Sequence, residues 1–275
     1  MNEESILAGL PRQHPNLILG PGDDAAIFRP KAAEDLVFTT DMFIDGVHFR
    51  NLAAKEVGRR ALARALSDIA AMGADPRFCL ASVAFPKSAD KTWIAQFFVG
   101  LMLLASETST AIAGGDLSHA RHLVADITVC GAVPRGKALR RDTARPGDIL
   151  YVSGPLGGWR NRTEIAPRLA LGKQLRGKAT ACMDISDGLA LDLHRLCKAS
   201  AVSAVLDDIP LLPNASLKQA LHDGEDYELL YTAPPKTRVP GLRIGALRKG
   251  RPGQILLDGA PINPTGYDHF SRTRP

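Results

Sequence analysis

The chain has 275 residues, 45% hydrophobic and 23% charged, and its 34 Lys and Arg against 29 Asp and Glu give a formal charge of +5. That composition belongs to a folded globular protein with room for two ordinary domains or one large one, and it excludes a disordered polymer. Aromatic residues make up only 5% and the basic ones are scattered, in small groups at Arg59-Arg60, Arg140-Arg141 and Arg248 to Arg251, so no nucleic-acid partner is expected.

The N-terminus, Met1-Asn2-Glu3-Glu4, is acidic where a secretory signal is basic and then apolar, and the longest apolar run, Phe97 to Ala105, is short and broken by Gly100. A cytoplasmic protein with no membrane partner is the expectation. Residues 1–18 read as a short helix followed by a stretch punctuated by Pro11 and Pro15. The first informative segment runs from Leu19 to Phe49. It opens with Gly20-Pro21-Gly22-Asp23-Asp24-Ala25-Ala26, and an apolar run, Leu36-Val37-Phe38, then ends in Thr39-Thr40-Asp41, where a strand is expected to hand over to a loop. Adjacent carboxylates repel, and folds that gather several of them do so around divalent cations, which points to magnesium. Turn chemistry and helix capping are the alternative reading of the same residues. The segment Phe43 to Phe49 alternates and carries His48, either an edge histidine or a ligand contact.

Lys55 to Gly73 is the clearest helix, with Val57, Ala61, Ala65, Ile69 and Met72 at helical spacing and Gly73 as the stop. Asp68 falls near its C-terminal end, where the macrodipole disfavours an acid unless a cation is near. Cys79 to Phe85 reads as a strand, Ala89 to Ser106 as a helix, and Thr110 to Ala113 as a strand closing in Gly114-Gly115-Asp116. Leu123 to Val133 reads as a long strand. The loop from Pro134 to Pro146 then suggests a boundary between domains spanning 1–136 and 137–275. Asp148 to Ser153 opens the second half as a strand. The turn Gly154-Pro155-Leu156-Gly157-Gly158 lacks the lysine of a Walker loop and the spacing of a dinucleotide fingerprint. In Cys182-Met183-Asp184-Ile185-Ser186-Asp187-Gly188 an apolar run ends in one acid, and a second follows at the mouth of a helix. Asp223 to Tyr231 is another acidic turn feeding a strand, and Gly266-Tyr267-Asp268-His269-Phe270 lies near the C-terminus. Cys79, Cys130, Cys182 and Cys197 form no Cys-x-x-Cys and suit buried reduced thiols.

Seven acids therefore stand at expected loop junctions: Asp23, Asp24, Asp41, Asp68, Asp116, Asp184 and Asp187. A ring of acids without a nucleophilic Cys, a Walker lysine or a paired His base suits phosphoryl transfer by positioning and charge neutralisation. The motifs Gly22 to Ala26, Thr39 to Asp41, Asp45 to Phe49, Leu66 to Ala74, Gly114 to Asp116, Asp184 to Leu189, Gly224 to Leu229 and Gly266 to Phe270 occur here in one order. In that order the chain resembles the thiamine-monophosphate kinases, which belong with aminoimidazole ribonucleotide synthetase. The resemblance implies an α/β (α+β) fold of two domains, an N-terminal one that binds ATP and magnesium and pairs its sheet across a homodimer, and a C-terminal one, with ATP and several Mg2+ in the cleft between them. It implies transfer of the ATP γ-phosphoryl group onto thiamine monophosphate. Carried over by motif, Asp24, Thr39, Thr40, Asp41, Asp68, Asp116, Asp184 and Asp187 would hold magnesium. Gly115, Asp116, Arg141 and Ser186 would touch ATP, and His48, Glu225 and Tyr267 would line the thiamine-phosphate pocket.

The rival readings are another ATP-dependent enzyme of the same superfamily, or a protein that binds nucleotide and thiamine phosphate without turnover. The segments 158–184 and 187–224, shorter than the resemblance leads one to expect, motivate the second, and the full set of acids speaks against it.

Overall fold

The computed structural model describes residues 17–19, 27–28, 30–158 and 164–267. The chain forms two compact units, Met1–Ile69 with Asp75–Gly136, and Ala70–Ala74 with Lys137–Pro275.

The first unit runs β1 (Leu17–Leu19), β2 (Ile27–Phe28), β3 (Glu34–Ile44), α1 (Ala54–Ala71), β4 (Asp75–Pro86), α2 (Lys91–Glu107), β5 (Ala111–Ala120) and β6 (Val124–Pro134). β1 and β2 pair antiparallel, and the other strands form a sheet in the order β3-β6-β4-β5. All its pairs are antiparallel except β4 with β5. Parallel neighbours need a crossover, and α2 supplies it. Alternation along the strands buries Phe43, Val83, Phe85, Ile127 and Val129 on the helix side and leaves Leu36, Phe38, Met42 and Leu80 exposed on the other, with Phe38 at 62%. The two helices cross closely. A Cβ on Gly58 would lie 1.9 Å from the Phe97 carbonyl oxygen and one on Gly100 1.8 Å from that of Lys55, so only glycine fits at either point. Asp90 starts α2 by accepting the Trp93 N–H at 2.7 Å.

The second unit runs β7 (Ile149–Val152), α3 (Leu169–Leu175), β8 (Ala181–Asp184), α4 (Leu189–Ala199), β9 (Ser203–Leu206), α5 (Leu217–His222), β10 (Leu229–Ala233), β11 (Leu242–Arg248), β12 (Ile255–Leu257) and β13 (Ala260–Pro261). Its sheet has the order β13-β12-β9-β11-β7-β10-β8, antiparallel except for β12 with β9. Both faces are covered. Leu150, Val152, Met183 and Leu230 pack with Leu189, Leu193 and Leu196 of α4. The alternate residues Cys182, Leu229 and Tyr231 pack with Leu175 of α3 and with Ala70 and Ala71. That is why β8 and β10 read as unbroken apolar runs rather than alternating ones.

Two strands run on past their expected ends. β3 continues past Thr39-Thr40-Asp41 to Ile44, and β5 continues past Gly114-Gly115-Asp116 to Ala120. Asp41 and Asp116 are therefore mid-strand residues, held by backbone ladders, and not residues of loop junctions. The four cysteines are buried and free, as expected of reduced thiols. Among the described residues no helix is long and apolar enough to cross a membrane.

Candidate active site

In the first unit the period of two along β3 sorts the Thr-Thr-Asp residues onto two faces. Thr39 Oγ1 donates to Asp68 Oδ2 at 2.5 Å, and Asp41 Oδ1 lies 3.8 Å from Arg64 Nη2. Arg64 and Asp68 are one turn apart on α1, so Thr39 and Asp41 meet a single helix face. The Arg64 guanidinium also sits 5.4 Å over the Phe43 ring, a cation placed beside a pair of acids. Thr40 points the other way. Its hydroxyl donates to Asp126 Oδ1 at 2.6 Å and lies 3.1 Å from Thr128 Oγ1. Asp126, which the sequence reading did not single out, thus joins Thr40 on the open face of the sheet.

Asp116 is exposed on β5, in register with Ser82. Its neighbour Gly115 has a structural reason to be glycine, since a Cβ there would lie 1.9 Å from the Ala81 carbonyl oxygen across the β4–β5 ladder. His48 lies in the turn after β3, where Nδ1 accepts the Ile44 N–H at 3.0 Å and the ring stacks on Phe43 at 5.9 Å. Because Nδ1 is an acceptor, the neutral ring carries its proton on Nε2. Asp23, Asp24 and the tail from Asp268 lie outside the described residues. A cleft of about 370 Å3 lined by Pro86, Lys87, Ser88, His119, Ala120 and Arg121 holds none of the expected site residues.

In the second unit the expected residues come together around one turn. Asp184 ends β8, 6% exposed, opposite Leu229. Beyond it the Ser186 carbonyl accepts the Glu225 N–H at 2.7 Å, and the Asp187 carbonyl accepts the Tyr267 N–H at 2.9 Å. The Tyr227 N–H reaches the Ile185 carbonyl at 2.8 Å. Glu225 and Tyr227 hold positive φ values of 69° and 51°, an uncommon conformation for residues with side chains and one that strains the backbone at this turn. Neither Ser186 nor Asp187 caps α4. The N-cap is Gly188, and the N–H groups of Ser186 and Asp187 both donate to Asp192 Oδ2, at 3.0 and 2.9 Å. Arg195 Nη1 bridges Asp187 Oδ2 at 2.6 Å and Asp192 Oδ1 at 2.8 Å. Complete burial pushes the Asp192 carboxyl up to about 6, against the pull of the Asp187 N–H and of Arg195. The exposed Arg141 contributes its backbone carbonyl to the Ser200 hydroxyl at 2.8 Å.

Three acids to which the sequence assigns no site role are buried and structural. Asp192 is one. Asp226, 1% exposed, accepts the N–H groups of Gly157 and Gly158 at 3.1 Å through Oδ1. The amides that could have cradled a phosphate in this glycine-rich turn thus bind a carboxylate of the chain itself. Glu228, also 1% exposed, takes a fork from Arg168, Nε at 2.8 Å and Nη2 at 2.5 Å, together with the Ser153 hydroxyl. The bond to Glu228 raises the Arg168 guanidinium further.

Within the first unit, Thr39, Asp41 and Asp68 offer hydroxyl and carboxylate oxygens, with no thiol or imidazole among them. That chemistry fits Mg2+, which takes oxygen ligands and keeps water and substrate phosphates in its shell. Among the described residues no three His, Cys, Asp or Glu side chains are grouped so as to hold a metal ion by themselves.

A family profile for AIR synthase related protein, N-terminal domain, matches residues 22–133. The thiamine-monophosphate kinase of Escherichia coli strain K12 is 33% identical to the chain, with 92% of each covered. That of Rhodopirellula baltica is 34% identical over 91% of this chain and 90% of its own. Among solved structures, the thiamine-monophosphate kinase of Stenotrophomonas maltophilia superposes with a TM-score of 0.80 at 34% identity, over 89% of this chain and 92% of the other. AaThiL complexed with AMPPCP and TMP gives 0.80 at 28% identity, over 90% and 91%. The hydrogenase maturation protein HypE, at 18% identity and a TM-score of 0.78, shares the fold alone. By identity over nearly its whole length, and by the fold of both units, the chain belongs to the thiamine-monophosphate kinase family.

Proposed function

We propose that the chain transfers the γ-phosphoryl group of ATP to the phosphate of thiamine monophosphate, forming thiamine diphosphate and ADP. The observation that carries this reading is the turn at Ser186 and Asp187. Two residues expected to serve nucleotide and metal there accept, through their carbonyls, the N–H groups of two residues expected to serve the thiamine phosphate, Glu225 and Tyr267. The family supports it as well, including a relative whose structure holds AMPPCP and TMP.

Two anionic phosphates must approach each other, and bound Mg2+ would supply the positive charge that offsets their repulsion. Asp24, Thr39, Asp41, Asp68, Asp184 and Asp187 are the residues assigned to hold it; Thr40 and Asp116 are assigned with them by motif, although their side chains lie on the face of the sheet opposite Thr39 and Asp41. Arg141 presents a fork of donors suited to phosphate oxygens, and Ser186 a hydroxyl, with Gly115 and Asp116 beside the nucleotide. His48, its proton placed on Nε2 by the Ile44 bond, donates toward the acceptor phosphate, and Glu225 shares that pocket. The Tyr267 ring offers an aromatic face to the cationic thiazolium. The acceptor phosphate is already ionised, so the side chains are needed to orient and to neutralise rather than to remove a proton.

The first unit is assigned to dimerisation as well as to ATP and Mg2+. Leu36, Phe38, Met42 and Leu80 are exposed on its open sheet face, around the polar group of Thr40, Asp126 and Thr128, and exposed apolar side chains of this kind suit cover by a second copy. Four free buried thiols suit a reducing compartment, and we place the enzyme in the cytoplasm.

The test is to incubate purified protein with ATP, Mg2+ and thiamine monophosphate and to separate the products chromatographically. Thiamine diphosphate should accumulate in step with ADP. Binding of both ligands with no product over hours would replace this reading by that of a non-catalytic binding protein.

A further inference from the structure

We infer that Asp192 is a positioning residue that sets the nucleotide-serving and substrate-serving residues of the second unit with one carboxylate. The inference deepens the proposed function and rests on it for the roles of Ser186, Asp187, Glu225 and Tyr267.

Asp192 is 0% exposed in the first turn of α4. Counting from the N-cap Gly188 it is the fourth helical residue, yet it does not cap the helix in the ordinary sense, in which the N-cap side chain reaches forward. It reaches backward, past the N-cap, to the N–H groups of Asp187 and Ser186 at 2.9 and 3.0 Å. Each of those residues is used at its carbonyl too. The Ser186 carbonyl fixes Glu225 and the Asp187 carbonyl fixes Tyr267. The second carboxylate oxygen of Asp192 shares Arg195 Nη1 with Asp187 Oδ2, which restrains the Asp187 side chain as well as its backbone. One buried carboxylate thus orients two adjoining residues, two further backbone segments and one acidic side chain. A buried charge is unfavourable unless fully paired, and the Ser186, Asp187 and Arg195 groups that pair this one all lead to residues of the proposed site.

Asparagine has nearly the shape of aspartate but offers one acceptor atom and one amino group. In Asp192→Asn the amide must fail either the two N–H groups or Arg195. Hydrogen–deuterium exchange on the full chain without any ligand should then show the segments 184–188, 224–227 and 262–267 exchanging faster together, by about tenfold or more, while 149–152 and 229–233 keep wild-type protection. In the presence of ATP, Mg2+ and thiamine monophosphate the same variant should raise the KM for both substrates and lower kcat, with kcat/KM down about 10–100-fold, the usual range for a residue supporting metal ligands. Glu225→Gln and Tyr267→Phe should raise the KM for thiamine monophosphate and leave that for ATP near wild type. Unchanged exchange in Asp192→Asn, or faster exchange in only one of the three segments, would overturn the inference. Should Asp192→Asn not fold, Arg195→Met serves instead. It leaves the two N–H bonds in place, so it should raise the KM for ATP with exchange at 224–227 and 262–267 unaltered, and wild-type kinetics in it would also overturn the inference. The exchange experiment contains no nucleotide. Coupled exchange in a chain that makes no thiamine diphosphate would sink the proposed activity and keep the positioning role, whereas turnover with uncoupled exchange would do the reverse.

Discussion

The two units present their acids in opposite ways. In the first, Asp41 sits within the eleven-residue ladder between β3 and β6, and Asp68 on a helix of eighteen residues. Regular backbone places those side chains, and their contacts with Thr39 and Arg64 are made side chain to side chain. In the second, Asp184 is the last residue of an edge strand and Asp187 lies in the turn without regular structure that follows, a turn held by hydrogen bonds from Ser186 and Asp187 to Asp192 and to the segments that carry Glu225 and Tyr267. Rigid elements display a site at little cost to its neighbours, whereas a turn must be pinned by buried polar groups that are costly to disturb. Changes to the acids of the first unit should therefore register in activity alone, and changes around the turn of the second in activity and stability together.

The sharpest way to break that contrast is to neutralise one acid of each kind. Asp41→Asn and Asp184→Asn should each lower the rate of thiamine diphosphate formation by about 10²–10³-fold, the range found when one charge-stabilising group is removed. Asp41, with a side chain 28% exposed, should leave the melting temperature within about 2–4 °C, equivalent to less than about 1 kcal/mol for a unit of this size. Asp184, 6% exposed, should shift it further. A rate within about threefold of wild type in Asp41→Asn, against the loss expected above, would remove Asp41 from the residues assigned to the metal.

The next largest effect is confined to the second unit. Arg168→Met takes a charged, two-pronged donor away from the Glu228 carboxylate, which is 1% exposed. Breaking a buried pair from one side costs about 3–5 kcal/mol, and urea denaturation should find a loss at the lower end of that range because Arg168 itself is 36% exposed. A loss below about 1 kcal/mol would mean that the remaining neighbours, the Ser153 hydroxyl among them, satisfy Glu228 without the guanidinium.

A smaller effect belongs to the first unit and tests whether regular backbone alone places Asp116. Gly115→Ala would set a Cβ 1.9 Å from the Ala81 carbonyl oxygen, and the β4–β5 ladder must part to admit it. Overpacking of this kind costs about 1–3 kcal/mol, and the adjacent Asp116 should move with the strand. Reduced activity accompanying the lower melting temperature is expected. Full activity would show that Asp116 does not depend on the ladder.

Much of this was legible in advance because it rests on periodicity. The helix over Val57, Ala61, Ala65 and Ile69, the strand around Cys79 to Phe85 and the long strand to Val133 all follow from apolar spacing. The strand ends at Asp41 and Asp116 did not, because polar residues and glycines are ordinary signs of a stop. On these two strands the ladder bonds are made by the backbone, and one face tolerates Thr40, Asp116 and Ser118 in the open. The buried acids were hidden for another reason. Asp192 looks like a surface residue of a leucine-rich helix, and the partners of Asp226 and Glu228 lie between 60 and 75 residues away, beyond any local pattern. Only the tertiary fold reveals that Gly-Glu-Asp-Tyr-Glu-Leu holds one half-buried acid and two interior ones.

The smallest effect is the counterpart of the Arg168 test. Arg59 meets Glu107 at 2.8 Å in the first unit, but the two side chains are 21% and 53% exposed. Water and salt screen such a pair, and it is worth about 0.2–1 kcal/mol. Arg59→Met should therefore cost less than about a third of what Arg168→Met costs, and the difference from wild type should shrink in concentrated salt, while the Arg168 effect persists. The hydrogen bond from Arg59 holds the Glu107 carboxyl below its ordinary range. A carboxyl depressed in the folded state contributes stability that is present above its unfolded pKa and is lost as the pH falls through the folded one. Wild type and Arg59→Met should thus differ at neutral pH and converge on acidification below about pH 4, the ordinary glutamate range. Urea melts at the two pH values measure this. If the pair proved as strong as Arg168 with Glu228, burial would not be what separates the two units, and the contrast between a displayed site and a pinned one would have to rest on the Asp192 turn alone.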